Sequence, residues 1–171
     1  MTSLPYSICG GLTASVTLGF AYGVFKAQSF YDLKSIDDKS RQLKGWYAQA
    51  GLALLTFALL AQDSLRSAVH PHLMAGLLVA SSAVLSSSVA FQFFQIPNIV
   101  SSVSFADNKA LSLAYIDGVG FFLTAPLWAM SNRIVQNMGW SAAWTFLAVV
   151  FGSTASLMVK TVHPVLKEQS R

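Results

Sequence analysis

The stretch LMAGLLVASSAVLSSSVAFQFFQ, Leu73–Gln95, runs for 23 residues without an Asp, Glu, Lys or Arg. A bilayer core about 30 Å thick takes about 20 residues of helix to cross. Nothing in lipid satisfies stray backbone N–H and C=O groups, so such a run crosses as a helix. Working outward, four further stretches read the same way: Leu4–Phe25, Trp46–Gln62, Ala110–Met130 and Met138–Val159. Across all five, the one Asp, Glu, Lys or Arg is Asp117. The expected architecture is all-α and integral to a membrane, with a single membrane domain over residues 1–171 and a bundle of about five transmembrane helices.

Composition agrees. The chain is 54% hydrophobic and 11% charged, against about 25% charged in an average globular domain, so little is left for a soluble domain. The basic residues sit in connections with no folded module around them, which argues against a nucleic-acid partner. The single cysteine, Cys9, excludes an intramolecular disulfide. No basic region precedes the first apolar run, and that run is long for a cleaved signal, so a retained signal-anchor helix is expected.

The connections are Lys26–Gly45, Asp63–His72, Ile96–Lys109 and Ser131–Asn137, with a tail from Lys160. Five alternating spans put Lys26, Lys34, Lys39, Arg41, Lys44, Lys109, Lys160, Lys167 and Arg171 on one face and Arg66 and Arg133 on the other, nine against two. Basic loops stay cytoplasmic, which predicts N-out and C-in. At Pro97 two readings stand: the third helix continues with a kink, or a short interfacial segment follows it.

Small residues recur at four-residue spacing, which places them on one helix face. The stripes are Gly11, Ser15, Gly19 and Gly23; Ser82, Ser86 and Ala90; Ala110, Ala114 and Gly118; and Ala148, Gly152 and Ser156. Such faces let membrane helices approach closely. Gly11, Ser15, Gly19, Gly23, Gly118, Gly120 and Gly152 are the expected packing positions.

Asp117 is expected to face protein or a water-filled cavity, because a carboxylate against lipid is costly. Gln92, Gln95 and Asn98 form a polar cluster around Pro97 that lines a pathway or makes interhelical hydrogen bonds. Together with Asp117 they are the substrate-pathway candidates. His70 and His72 have no third ligand nearby and read as exposed loop histidines, so no metal is expected. The serines at 81–82 and 86–88 have no partnering base, and no Gly-rich phosphate loop opens a helix. An enzyme, a cofactor and a catalytic residue are not expected.

The segments IPNIVSSVSFADNKALSLAYIDGVGFF, from Ile96, and NMGWSAAWTFLAVVFG, from Asn137, resemble the end of a major facilitator superfamily transporter. The branch is that of the organophosphate:phosphate antiporters, which includes the glycerol-3-phosphate transporters. Asp117, Gly118 and Gly120 match a D-G-x-G-Y-x-G-like pattern of the eleventh helix, with Phe121 in place of Tyr and Leu123 in place of the final Gly. Gly139–Trp140 matches the entry to the twelfth. The resemblance covers Phe91–Val159. Upstream, DDKSRQLKG looks like the charged turn between the eighth and ninth helices, with Asp38, Lys39, Arg41 and Lys44 in place.

The resemblance implies a major-facilitator C-half-like bundle in which the five spans are helices eight to twelve. The first half of such a carrier has no counterpart here, so a transporter-derived module that does not transport alone is expected. Its partners would be the lipid bilayer and either other membrane subunits or the missing half. The alternatives are a small accessory subunit of a respiratory or photosynthetic complex, and an oligomeric carrier or channel.

Overall fold

The computed structural model describes residues 6–30, 35–104 and 109–168, with side-chain environments for residues 8–30, 35, 37–95, 114, 118–119, 122–157 and 160. Every element among the described residues is helical: α1 (Tyr6–Phe30), α2 (Ile36–Leu60), α3 (Asp63–Ala68), α4 (Pro71–Ser104) and α5 (Lys109–Glu168). Four of the helices are long and apolar enough to cross a membrane.

Several boundaries differ from the expected ones, each for a local reason. The connection Lys26–Gly45 is mostly helix. Lys26 lies on α1, while Lys39, Arg41 and Lys44 lie on α2. Ser35 caps α2, its hydroxyl accepting from the Asp38 N–H at 3.4 Å, and Asp37 and Asp38 occupy the positive end of the helix dipole. The charges stay outward while Ser40, Leu43 and Tyr47, at helical spacing, are buried. Likewise α4 continues through Pro97 to Ser104, so the continuous-helix reading holds there.

The fourth and fifth expected spans fall in one element. The expected loop Ser131–Asn137 is helical, and the break is concentrated at Gly139, with φ 85° and ψ 176°. Only glycine adopts that conformation without strain. The tail from Lys160 also continues as helix to Glu168. In the connection Asp63–His72, the short α3 and Pro71, the first residue of α4, occupy most of the length.

Helix pairing follows from small residues. Gly11 faces Val79, Gly19 faces the Ala83 backbone and Gly23 faces the Ser87 backbone, so α1 and α4 run parallel in close contact. A Cβ at Gly19 or Gly23 would collide with the carbonyl oxygen of Ala83 or Ser87. Lys39 over the Phe30 ring and Tyr22 beside Trp46 set α2 antiparallel to α1. The second arm of α5, after Gly139, packs antiparallel on α2. Ser141 Oγ donates to Ala58 O at 2.8 Å, Trp144 stacks on Phe57 at 5.0 Å and Phe151 meets Tyr47 at 5.6 Å.

The interior is built mainly from small side chains. Among the described residues, seven of the thirteen buried apolar ones are alanines, so helix backbones come close together. Large apolar residues such as Leu18, Phe25, Leu52 and Phe122 point outward instead. A water-soluble bundle would reverse this, and lipid supplies the missing apolar surroundings.

Not every expected packing position meets a neighbour. Gly118 and Gly152 are exposed, with no atom within 4 Å of a Cβ built there. The packed face of the second α5 arm carries Ala143, Phe151 and Ala155, and Gly152 lies off it. Gly120 lies outside the described side chains.

Gly19→Ala and Gly23→Ala are expected to destabilise the chain by about 1–3 kcal/mol each, as overpacking does. Gly10→Ala, where a Cβ meets nothing within 4 Å, is expected to leave stability unchanged. Thermal unfolding in detergent measures all three.

Candidate functional site

Three buried polar residues of α4 share one helix face. Ser88, Gln92 and Gln95 are separated by four and three residues, so they stack along a single stripe. All three are buried, Ser88 and Gln95 at 0% exposure. The stripe lies where α1, α2 and α4 meet. Trp46 stacks on Phe91 at 4.8 Å and 15°, and Phe30 packs edge-on to Phe91 at 5.7 Å. This aromatic trio closes the same junction.

Gln95 Nε2 donates to the Ala27 carbonyl of α1, and Ser86 Oγ donates to the Val16 carbonyl at 2.7 Å. Both bonds cross from α4 to the α1 backbone, and the close glycine contact makes the reach possible. In a membrane, side-chain bonds of this kind hold helices together where hydrophobic drive is absent.

The remaining valences are open. Ser88 Oγ, Gln92 Nε2, Gln95 Oε1 and Gln42 Oε1 are buried with no hydrogen-bond partner among the described residues. Gln42 belongs to α2, one turn before Trp46. The antiparallel register that sets Trp46 on Phe91 brings it level with Gln95. A buried amide group without a partner costs about 1–3 kcal/mol. The site therefore suits a small hydrogen-bonding guest or an ordered water that bridges donors and acceptors. Ser88, Gln92, Gln95 and Gln42 themselves carry no charge and include no nucleophile paired with a base.

Of the expected pathway residues, Gln92 and Gln95 come together here. Asn98 and Asp117 lie outside the described side chains. Ser88 and Gln42 were not singled out as site residues by sequence. The spacing of Ser88 to Gln92 and Gln95 carried a readable signal, whereas Gln42 lay in a segment read as loop. His70 and His72 are exposed with rings 5.2 Å apart, and His70 Nδ1 accepts from the His72 N–H at 3.3 Å. Among the described residues no three His, Cys, Asp or Glu side chains gather to hold a metal.

Comparison of the chain with family models, curated proteins and solved structures gives no match.

Replacing Gln95 with Met is expected to lower stability by about 0.5–1.5 kcal/mol through loss of its bond to α1. Gln92→Met removes an unpartnered donor and is expected to be neutral or slightly stabilising. Thermal unfolding of the two variants compares them, and a larger loss at Gln92 would mean that a bound guest or water ties it down.

Proposed function

We propose that the chain is a transporter-derived membrane module of major-facilitator type, which works within a larger membrane assembly and does not carry solute by itself. The resemblance over Phe91–Val159 suggests the origin. The observation that carries the reading is the burial of Ser88, Gln92 and Gln95 in the α1–α2–α4 junction. Alternating access needs a midplane site between two bundles that rock against each other. A polar stripe tied to α1 through Gln95 and closed by Phe30, Trp46 and Phe91 suits a fixed three-helix junction instead.

The helix directions fit the same reading. α1, α4 and the second arm of α5 run one way and α2 the other, as alternate spans of one bundle do. The first arm of α5 leaves Phe122, Leu123, Trp128 and Met130 exposed. That face suits lipid and neighbouring helices, and the partners proposed are the bilayer together with other membrane subunits or a second transporter bundle. The orientation proposed is N-out and C-in, from the distribution of basic residues.

Native mass spectrometry of the full chain, purified in mild detergent from cells that express it, is expected to show a further multi-helix membrane subunit bound. Liposomes holding the chain alone are expected to show no saturable phosphate or sugar-phosphate exchange. A homo-oligomer with saturable exchange would instead support the oligomeric carrier. A respiratory or photosynthetic complex as the bound partner would support the accessory subunit.

The proposed orientation has its own measurement. In a Cys9→Ala background, Lys39→Cys and Ser67→Cys are expected to react with an impermeant thiol reagent from opposite faces, the first from the cytoplasmic side.

A further inference from the structure

A cavity of about 350 Å³ opens between the early turns of α2 and the late turns of α5, lined by Lys44, Tyr47, Ala155, Ser156 and Lys160. The packing of Phe151 on Tyr47 sets the register that brings Lys44 level with Ala155 and Ser156, with Lys160 about one helical turn further along α5. We propose that this cavity binds a phosphate ester at the membrane boundary, through Lys44 of α2 and Lys160 of α5.

The charge balance supports an anion. The other described cations at this end of the bundle already have favourable contacts. Arg41 pairs with Asp38 at 3.8 Å, Lys26 lies over the Tyr22 ring at 5.6 Å and Lys39 over the Phe30 ring at 5.8 Å. Lys44 and Lys160 pair with no described carboxylate. Two ammonium groups lining one cavity repel each other, and an oxyanion between them relieves the repulsion. Each ammonium offers three rotatable donors suited to phosphate oxygens. Ser156 Oγ donates to Gly152 O at 2.9 Å, so it adds polarity without offering its proton.

Position supports an ester over a free inorganic ion. The apolar segment of α2 begins at Asp37, and that of α5 ends at Leu157. Lys160 therefore lies just beyond the apolar segment. Lys44 lies within it, about 10 Å along the helix from Asp37, and its stem can extend toward the interface. The Tyr47 ring and Ala155 give the cavity an apolar wall for carbon attached to the phosphate. An anionic phospholipid headgroup and a soluble phosphate ester share this chemistry. The inference is independent of whether the chain derives from a transporter.

Native mass spectrometry of the full chain in detergent, titrated with phosphatidylglycerol, phosphatidylcholine and glycerol phosphate, tests it. Phosphatidylglycerol is expected to bind in preference to phosphatidylcholine. In the Lys44→Gln/Lys160→Gln double variant its affinity is expected to fall about thirtyfold, from two cations at a membrane surface. Arg133→Gln is expected to leave it unchanged. Displacement of the lipid by glycerol phosphate would assign the site to soluble esters, and persistence of the lipid would assign it to headgroups; either outcome keeps the phosphate site. A fall of less than about twofold in a folded double variant overturns the proposal, as does equal binding of the two lipids. Unfolding temperature establishes that the double variant is folded. If it is not, Lys160→Gln alone is expected to weaken binding about fivefold, with the same overturning result.

Discussion

The contact of α1 with α4 at Gly19 and Gly23 is the constraint on which the remaining geometry rests. In lipid, apolar side chains gain little by meeting each other, because the tails around them are equally apolar. Helices associate where backbones come close enough for dispersion and polar contact. The glycines allow this against the carbonyls of Ala83 and Ser87. Two polar bonds depend on the same approach: Ser86 to Val16 O and Gln95 to Ala27 O. A helix held further away would leave both side chains short of the α1 backbone.

From this pair the bundle is extended through α2. Its Trp46 stacks on Phe91 of α4, and Phe30 of α1 closes the edge. On another face, Phe57 and Tyr47 take Trp144 and Phe151 of α5. Between these aromatic anchors the contacts are largely alanine, which sets the helices close. α2 thus couples the α1–α4 pair to the second arm of α5. The break at Gly139 lets the chain enter that arm along a new path, since φ 85° is open to glycine and strained for other residues.

Among the described residues, neutral and charged polar groups gather at two separate places. Inside, Ser88, Gln92, Gln95 and Gln42 present neutral donors and acceptors to a closed junction. At the end of the bundle, Lys44 and Lys160 present charge to an open cavity. Dielectric explains the division. Neutral amides tolerate a dry interior when partly bonded, whereas an ammonium there is far more costly and must reach the interface.

Much of this was legible along the chain, and the illegible part has a physical pattern. Membrane-length helices follow from unbroken apolar runs, a local property, and the stripe Gly11, Ser15, Gly19 and Gly23 follows from four-residue spacing on one helix face. The start of α2 was hidden, because the charges of residues 37–44 read as loop. Helicity there depends on the Ser35 cap and on a buried face of Ser40, Leu43 and Tyr47 that only a neighbouring helix reveals. Gly152 meets no neighbour among the described residues, for the same reason: spacing names a face but not what meets it. The sequence by itself determined that the chain is a set of apolar, membrane-length helices with one glycine-lined face on the first. Only the tertiary structure decided that Gln95 meets Ala27 and Ser141 meets Ala58, positions 68 and 83 residues apart. Such pairings depend on the register between separate helices, and no local pattern encodes register.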